Sequence, residues 1–209
     1  MKIFVAIPVY DGKLQVEIVK CLLGEQLIAN GVGDEIEIRF LPSCSHAAMG
    51  RNQFAREFLE SDCDRLFFLD ADVSFEPGAI LKLAHSPADL VGGAYRFKSE
   101  PEKYPVGWLG GDSPWDNGEL HTDKNGLLEV NFLPGGFLCI SRKVFHAIKE
   151  KFPGREYSHS GGKKDYCFFE MCFMKGSLFG EDAFFCHQWR ETGGKVLLSP
   201  NNNLTHWDR

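Results

Sequence analysis

A few acidic positions, one imidazole and one guanidinium stand where this sequence could do chemistry. Asp70-Ala71-Asp72 follows Arg65 to Leu69, the most apolar strand candidate in the chain. Two carboxylates two residues apart at the carboxyl edge of a parallel sheet, where ligands bind in such folds, form a hard-oxygen site. It suits Mg²⁺ or Mn²⁺ and keeps positions open for phosphate oxygens. The same tripeptide could equally be a loop of solvated acids. His206, within Leu204-Thr205-His206-Trp207, follows the last strand and could fold back to the crevice. An imidazole beside two carboxylates favours Mn²⁺ over Mg²⁺, because nitrogen is the softer donor. Gly180-Glu181-Asp182 opens a helix, where acids complement the dipole in any case. One of these carboxylates could also face the crevice as a general base for an incoming hydroxyl. Arg51 and Asn52 fall on or beside the buried face of a helix, where a guanidinium needs an anion from a ligand or from a structural Asp. Pro134-Gly135-Gly136 lets the backbone approach a ligand closely, or makes a tight turn between strands.

The elements that must carry these residues are legible in the hydrophobic pattern. Ile3 to Ile7 is a short apolar run ended by Pro8 and Asp11-Gly12, which predicts a buried strand. Leu14, Ile18, Leu22, Leu23 and Leu27 recur at three- and four-residue spacing and predict a helix stopped by Asn30-Gly31. Ile36, Ile38 and Phe40 alternate with charged residues as a second strand. A second helix is expected from about His46 to Ser61, capped by Ser45, with Ala48, Ala55, Phe58 and Leu59 facing inward. After the strand Arg65 to Leu69, Pro77 opens a short helix to about Ala84. This alternation predicts an α/β fold with a parallel sheet and covering helices. Further strands are expected over Asp89 to Tyr95, Leu127 to Phe132, Gly136 to Ser141 and Lys195 to Leu198, with helices over Arg142 to Phe152 and Glu181 to Thr192. Residues 99–126 and 154–177 carry no clear period. Long aperiodic stretches rich in aromatics point to function, and Trp108, Trp115 and Tyr166 could stack on a ligand or pack the core.

Composition excludes several classes. The chain has 209 residues, with 23 Lys and Arg against 29 Asp and Glu, a formal charge of −6, and 44% hydrophobic residues. That apolar fraction supports a real core and excludes disorder as the main character. With no Lys/Arg-rich segment, nucleic acid is not expected as a partner. No stretch of about 18 apolar residues exists, so no membrane span is expected. The seven Cys have no Cys-x-x-Cys spacing and read as reduced thiols in a cytoplasmic protein rather than zinc ligands.

Together these residues resemble the glycosyltransferases of the GT-A fold, particularly the group-2-like enzymes that use nucleotide sugars. The resemblance runs in order along nearly the whole chain. It comprises Ile3-Phe4-Val5-Ala6-Ile7-Pro8-Val9-Tyr10, Arg51-Asn52, Asp70-Ala71-Asp72, Pro134-Gly135-Gly136-Phe137, Gly180-Glu181-Asp182 and the late His206. It implies one domain over 1–209 with a mixed, mostly parallel central sheet and helices on both faces. Residues 1–98 would form the nucleotide-binding half and 99–209 the donor-sugar and acceptor half. By resemblance, Pro8, Tyr10 and Asp11 lie beside the base and ribose, and Arg51 lies near the nucleotide. Asp70 holds the ribose or a metal-bound water, and with Asp72 and His206 makes the site for Mn²⁺ or Mg²⁺. Gly135 and Gly136 line the donor-sugar pocket. Asp182 deprotonates the hydroxyl of a glycan or other acceptor for in-line attack, which implies inversion, with UDP as the default nucleotide by family frequency. Two departures stand out. Pro42-Ser43-Cys44-Ser45 replaces the acidic residue with which many relatives grip the base. A long C-terminal helical extension is missing, so acceptor recognition would rest on residues 99–126 and 154–177 or on a further domain.

Two rivals share some of these residues. Phe68-Leu69-Asp70-Ala71-Asp72-Val73 is similar to the nucleophile motif of haloacid-dehalogenase-type phosphatases, but it lies on the third strand. Gly180-Glu181-Asp182-Ala183-Phe184-Phe185 also lacks the final acid of their metal motif. A non-catalytic nucleotide-sugar-binding module would have no need of Asp182.

Overall fold

The computed structural model describes residues 1–97, 103–110, 122–158, 162, 164–174 and 176–207. Its strands and helices alternate at first: β1 (Lys2–Val9), α1 (Val16–Val32), β2 (Glu35–Pro42), α2 (Ala47–Glu60), β3 (Arg65–Leu69), β4 (Val73–Ser74), α3 (Ala79–Ala84) and β5 (Leu90–Gly92). There follow β6 (Leu128–Val130), β7 (Phe137–Ser141), α4 (Arg142–Lys151), β8 (Glu156–Ser158), β9 (Lys164–Tyr166), β10 (Cys172–Met174) and β11 (Ser177–Phe179). The chain closes with α5 (Glu181–Glu191), β12 (Val196–Leu198) and β13 (Thr205–His206).

Seven strands form the main sheet in the order β2-β1-β3-β7-β5-β12-β6. β1 pairs in parallel with β2 and β3, and β12 with β5, whereas β7 and β6 run against their neighbours. The sheet is therefore mixed, with most strands pointing one way. Strand alternation divides the core. Phe4, Ala6, Leu66 and Phe68 face α2, α4 and α5 through Phe54, Phe58, Phe145, Ile148 and Phe185. Ile3, Val5, Ile7, Phe67 and Leu69 face α1 and α3 through Ile18, Leu22, Ile80 and Leu83. Because the strand directions agree, the ends of β1 and β3 open on the same edge of the sheet. That edge carries Pro8, Tyr10 and Asp70.

Two expectations about helices need correction. α1 runs past Asn30-Gly31 to Val32 and stops at Gly33, which adopts φ 80° and closes the end with its N–H. Its inward face is Ile18, Leu22, Glu25 and Ala29, while Leu23 and Leu27 point out, Leu27 with 74% of its surface exposed. Apolar residues surround this helix, so spacing alone could not choose the side. At α2, His46 rather than Ser45 is the cap residue, with no side-chain cap bond. Residues 154–177, irregular in the sequence pattern, carry β8, β9 and β10; β8 pairs antiparallel with β9, and β10 with β11 just beyond. Within the other aperiodic stretch, Trp115 lies outside the described residues.

Candidate active site

A cleft of about 490 Å³ opens at the carboxyl edge of β1 and β3. Its walls include Pro8, Tyr10, Cys44, Ser45, Arg51, Asp70, Asp72, Tyr95, Glu181, Asp182 and His206. Residues from both ends of the chain meet here because three elements converge. β3 delivers Asp70 and Asp72, and α5 presents Glu181 and Asp182 in its first turn. The two-residue strand β13 returns to pair antiparallel with β4, setting His206 opposite Val73. Trp207 secures that return through its N–H to the Asp72 carbonyl at 2.8 Å and its indole Nε1 to Ser74 Oγ at 2.8 Å.

The floor of the cleft is an ionic network built on a buried Arg51. Arg51, 4% exposed, donates through Nη2 to Asp70 Oδ1 at 3.1 Å and through Nη1 to Glu181 Oε1. Tyr95, also buried, donates its hydroxyl to Asp70 Oδ2 at 3.1 Å. Burial opposes the charge on Arg51, but Asp70, Glu181 and Asp182 outweigh it and hold its pKa above the ordinary value. Burial, then the adjacent Asp70, push the Tyr95 phenol well up, so it stays a donor. Gly135 and Gly136 sit behind this network. A Cβ on Gly135 would overlap the Arg51 guanidinium, and one on Gly136 the Asp70 carboxylate and the Tyr95 hydroxyl.

The rim is arranged differently. His206 Nδ1 lies 3.0 Å from the Arg96 carbonyl oxygen, which can only accept, so Nδ1 carries a proton and Nε2 is the nitrogen turned to the cleft. Nε2 faces Asp72 Oδ2 at 3.7 Å. Asp182 accepts the Gly135 N–H through Oδ2 at 3.1 Å and the Ala183 N–H through Oδ1 at 2.7 Å.

Of the residues singled out in the sequence, Pro8, Tyr10, Arg51, Asp70, Asp72, Asp182 and His206 come together on this cleft. Asp11 does not line it and instead caps its own turn, accepting the Lys13 N–H at 3.1 Å. Gly135 and Gly136 are absent from the lining as well; their smallness serves the network beneath. Asn52 braces the fold, accepting the N–H groups of Phe168 and Phe169 at 2.8 and 2.9 Å and donating to the Phe169 carbonyl at 2.8 Å. Among the described residues no cluster of three or more His, Cys, Asp or Glu is placed to hold a metal ion, and Asp70 is turned to Arg51 and Tyr95. Asp72 and His206 remain as a facing pair whose donor types suit a divalent cation. The described lining also sets one guanidinium against four carboxylates, a field in which a diphosphate needs a cation beside it. Sequence reasoning missed Tyr95, which reads as the end of an apolar strand, and the pairing of Glu181 with Arg51, since an acid in a first helical turn is expected for the dipole alone.

Solved structures share this fold. The chain matches a crystal structure of the catalytic domain of Drosophila beta1,4galactosyltransferase 7 in complex with xylobiose. The TM-score is 0.55 at 16% identity, covering 100% of this chain and 71% of that one. A mutant of the same enzyme, in complex with manganese, UDP-Gal and xylobiose, gives 0.54 at 15% identity with the same coverage. GalNAc-T7 with UDP, GalNAc and Mn²⁺ gives 0.51 at 14% identity, covering 100% of this chain and 43% of that one. No protein-family model matches the sequence, and no curated protein matches it. At these identities the likeness shows the fold: a GT-A-like α/β arrangement with a mixed sheet flanked by helices.

Proposed function

We propose that this chain is a glycosyltransferase that moves a sugar from a nucleoside-diphosphate donor to an acceptor hydroxyl with cation assistance. The observation that carries the reading is the facing pair Asp72 and His206 in the same cleft as Asp182. Residues 1–98 would hold the nucleotide, with Pro8 and Tyr10 beside its base, and 99–209 the sugar and acceptor. Asp72 and His206 would hold Mn²⁺ or Mg²⁺, which when bound neutralises charge on the leaving diphosphate. Asp182 takes the acceptor hydroxyl proton while that oxygen attacks the anomeric carbon. The bond to the diphosphate breaks on the opposite face and its electron pair leaves with the nucleotide, which inverts the centre. The Gly135 N–H orients the Asp182 carboxylate for this step. UDP is the nucleotide this reading prefers, since the neighbours that share the fold were crystallised with UDP-Gal or UDP. The unpaired state of all seven thiols supports a cytoplasmic setting. Among the described residues no helix is long and apolar enough to cross a membrane.

The phosphatase alternative needs Asp70 at the end of the first strand, whereas here it follows β3, and Gly180-Glu181-Asp182-Ala183-Phe184-Phe185 lacks the final acid of that metal motif. The deciding experiment is calorimetric titration of nucleoside diphosphates and nucleotide sugars, with and without Mn²⁺, followed by a transfer assay. Binding of one nucleotide only with Mn²⁺ is expected. Asp182→Asn should keep that binding and lower transfer by about 10²-fold or more. Release of phosphate from a generic phosphomonoester, with no nucleotide bound, would sink the transferase reading.

A further inference from the structure

β5 ends at Gly92, and the segment that follows lines the cleft with Tyr95 and Phe97. Two neighbours on it make different contacts with the same site. The Tyr95 hydroxyl donates to Asp70 Oδ2 at 3.1 Å, while its ring stands edge-on to the His206 imidazole, the centroids 4.9 Å apart. The Arg96 carbonyl oxygen accepts the His206 Nδ1–H, the heavy atoms 3.0 Å apart. We propose that Tyr95 is a positioning residue of the candidate site, its hydroxyl setting Asp70 and its ring setting His206. This rests on the transferase reading above.

Three features favour positioning over simple core filling. First, the hydroxyl is spent on a cleft carboxylate, and in concert with Arg51 it occupies both oxygens of Asp70. Asp70 is thereby held apart from the pair Asp72 and His206, and the two acids of one tripeptide take separate tasks. Second, the room for this contact is made by Gly136, where a Cβ would overlap both the Tyr95 hydroxyl and Asp70. Third, the segment is packed against the chain that carries His206. A Cβ on Gly93 would meet Leu204 Cδ1 at 2.7 Å and Asn202 Nδ2 at 3.2 Å. The position of Tyr95 is therefore transmitted to His206 by ring contact and by the backbone carbonyl beside it, while Asp70 feels only the hydroxyl.

That division predicts a split that a structural residue would not produce. Tyr95→Phe removes the hydroxyl and keeps the ring; Tyr95→Leu removes both. Binding of Mn²⁺ alone, followed by electron paramagnetic resonance of the free ion, should stay within about twofold of wild type in Tyr95→Phe and fall about tenfold or more in Tyr95→Leu. UDP binding in saturating Mn²⁺, by calorimetry, should weaken about tenfold in both. Equal losses of both affinities in the two variants, in step with a drop in unfolding temperature, would overturn the proposal. Unchanged Mn²⁺ binding in Tyr95→Leu would overturn it too. If wild type binds neither Mn²⁺ nor UDP, it is the transferase reading that fails. The positioning role is then decided by the ¹⁵N resonances of His206 in the ligand-free chain. One Nδ1-protonated tautomer in wild type and Tyr95→Phe, with a mixture in Tyr95→Leu, supports it. The same tautomer in all three overturns it.

Discussion

Asp70 and Asp72 leave the same strand two residues apart, yet they belong to different regions of the site. Asp70 is held by a guanidinium and a phenol, which take its two oxygens. Asp72 faces the Nε2 of His206 at 3.7 Å. The two differ in what stands opposite them: a buried cation and a hydroxyl at Asp70, an imidazole nitrogen at Asp72. A guanidinium satisfies a carboxylate without a ligand, whereas a carboxylate and an imidazole together are donor types that a divalent cation takes. Glu25 gives a third case: buried against α3, it accepts the N–H groups of Gly78 and Leu81, and burial raises its pKa.

The contrast predicts a descending series of effects on stability. Arg51→Met should be the most severe, since it strands Asp70 and Glu181 in the floor without their cation. A loss of about 3–5 kcal/mol is expected, read as a fall of about 10 °C in Tm. A change of no more than a degree or two would mean the floor is wetter and looser than the network implies. Gly136→Ala forces a methyl group into the Asp70 carboxylate and the Tyr95 hydroxyl, and a cost of about 1–3 kcal/mol in denaturant unfolding is expected. A neutral result would show that the two side chains can yield.

Glu25→Gln replaces one acceptor by an amide donor facing a backbone N–H, at about 1–2 kcal/mol. It also carries a pH signature. Because the folded pKa of Glu25 is raised, its stabilising contribution is complete below the unfolded carboxyl pKa and is lost as pH rises through the folded value. Wild type should therefore lose stability relative to the variant on going from about pH 4 towards neutrality. Parallel pH profiles would contradict the raised pKa. Asp72→Asn belongs at the end of the series: the amide keeps the shape of the side chain, and a change in stability of no more than about 1 kcal/mol is expected. Its effect should be on ligands, abolishing the Mn²⁺-dependent part of nucleotide binding. A large loss of stability would place Asp72 with the floor after all.

Much of the frame is legible in the amino-acid sequence. The apolar runs at Ile3 to Ile7 and Arg65 to Leu69 announce the central strands, and Asp70-Ala71-Asp72 falls at the ligand-binding edge because it follows such a run. The inward face of α1 is not legible, because apolar residues surround that helix and only docking on β2 and α3 selects Ile18 and Leu22. The β8-β9 and β10-β11 hairpins escape notice because three-residue strands are too short to show a period.

Local pattern by itself determined which residues lie at strand ends and helix starts, since hydrophobic periodicity is written in near neighbours. Only the tertiary structure decided their partners. Arg51 meets Glu181 from 130 residues away and His206 meets the Arg96 carbonyl from 110 residues away. Hydrogen bonds and ion pairs act over a few ångströms of space and leave no mark on sequence spacing, so the division of labour between Asp70 and Asp72 exists only once the sheet, α5 and the returning C-terminal strand have closed around them.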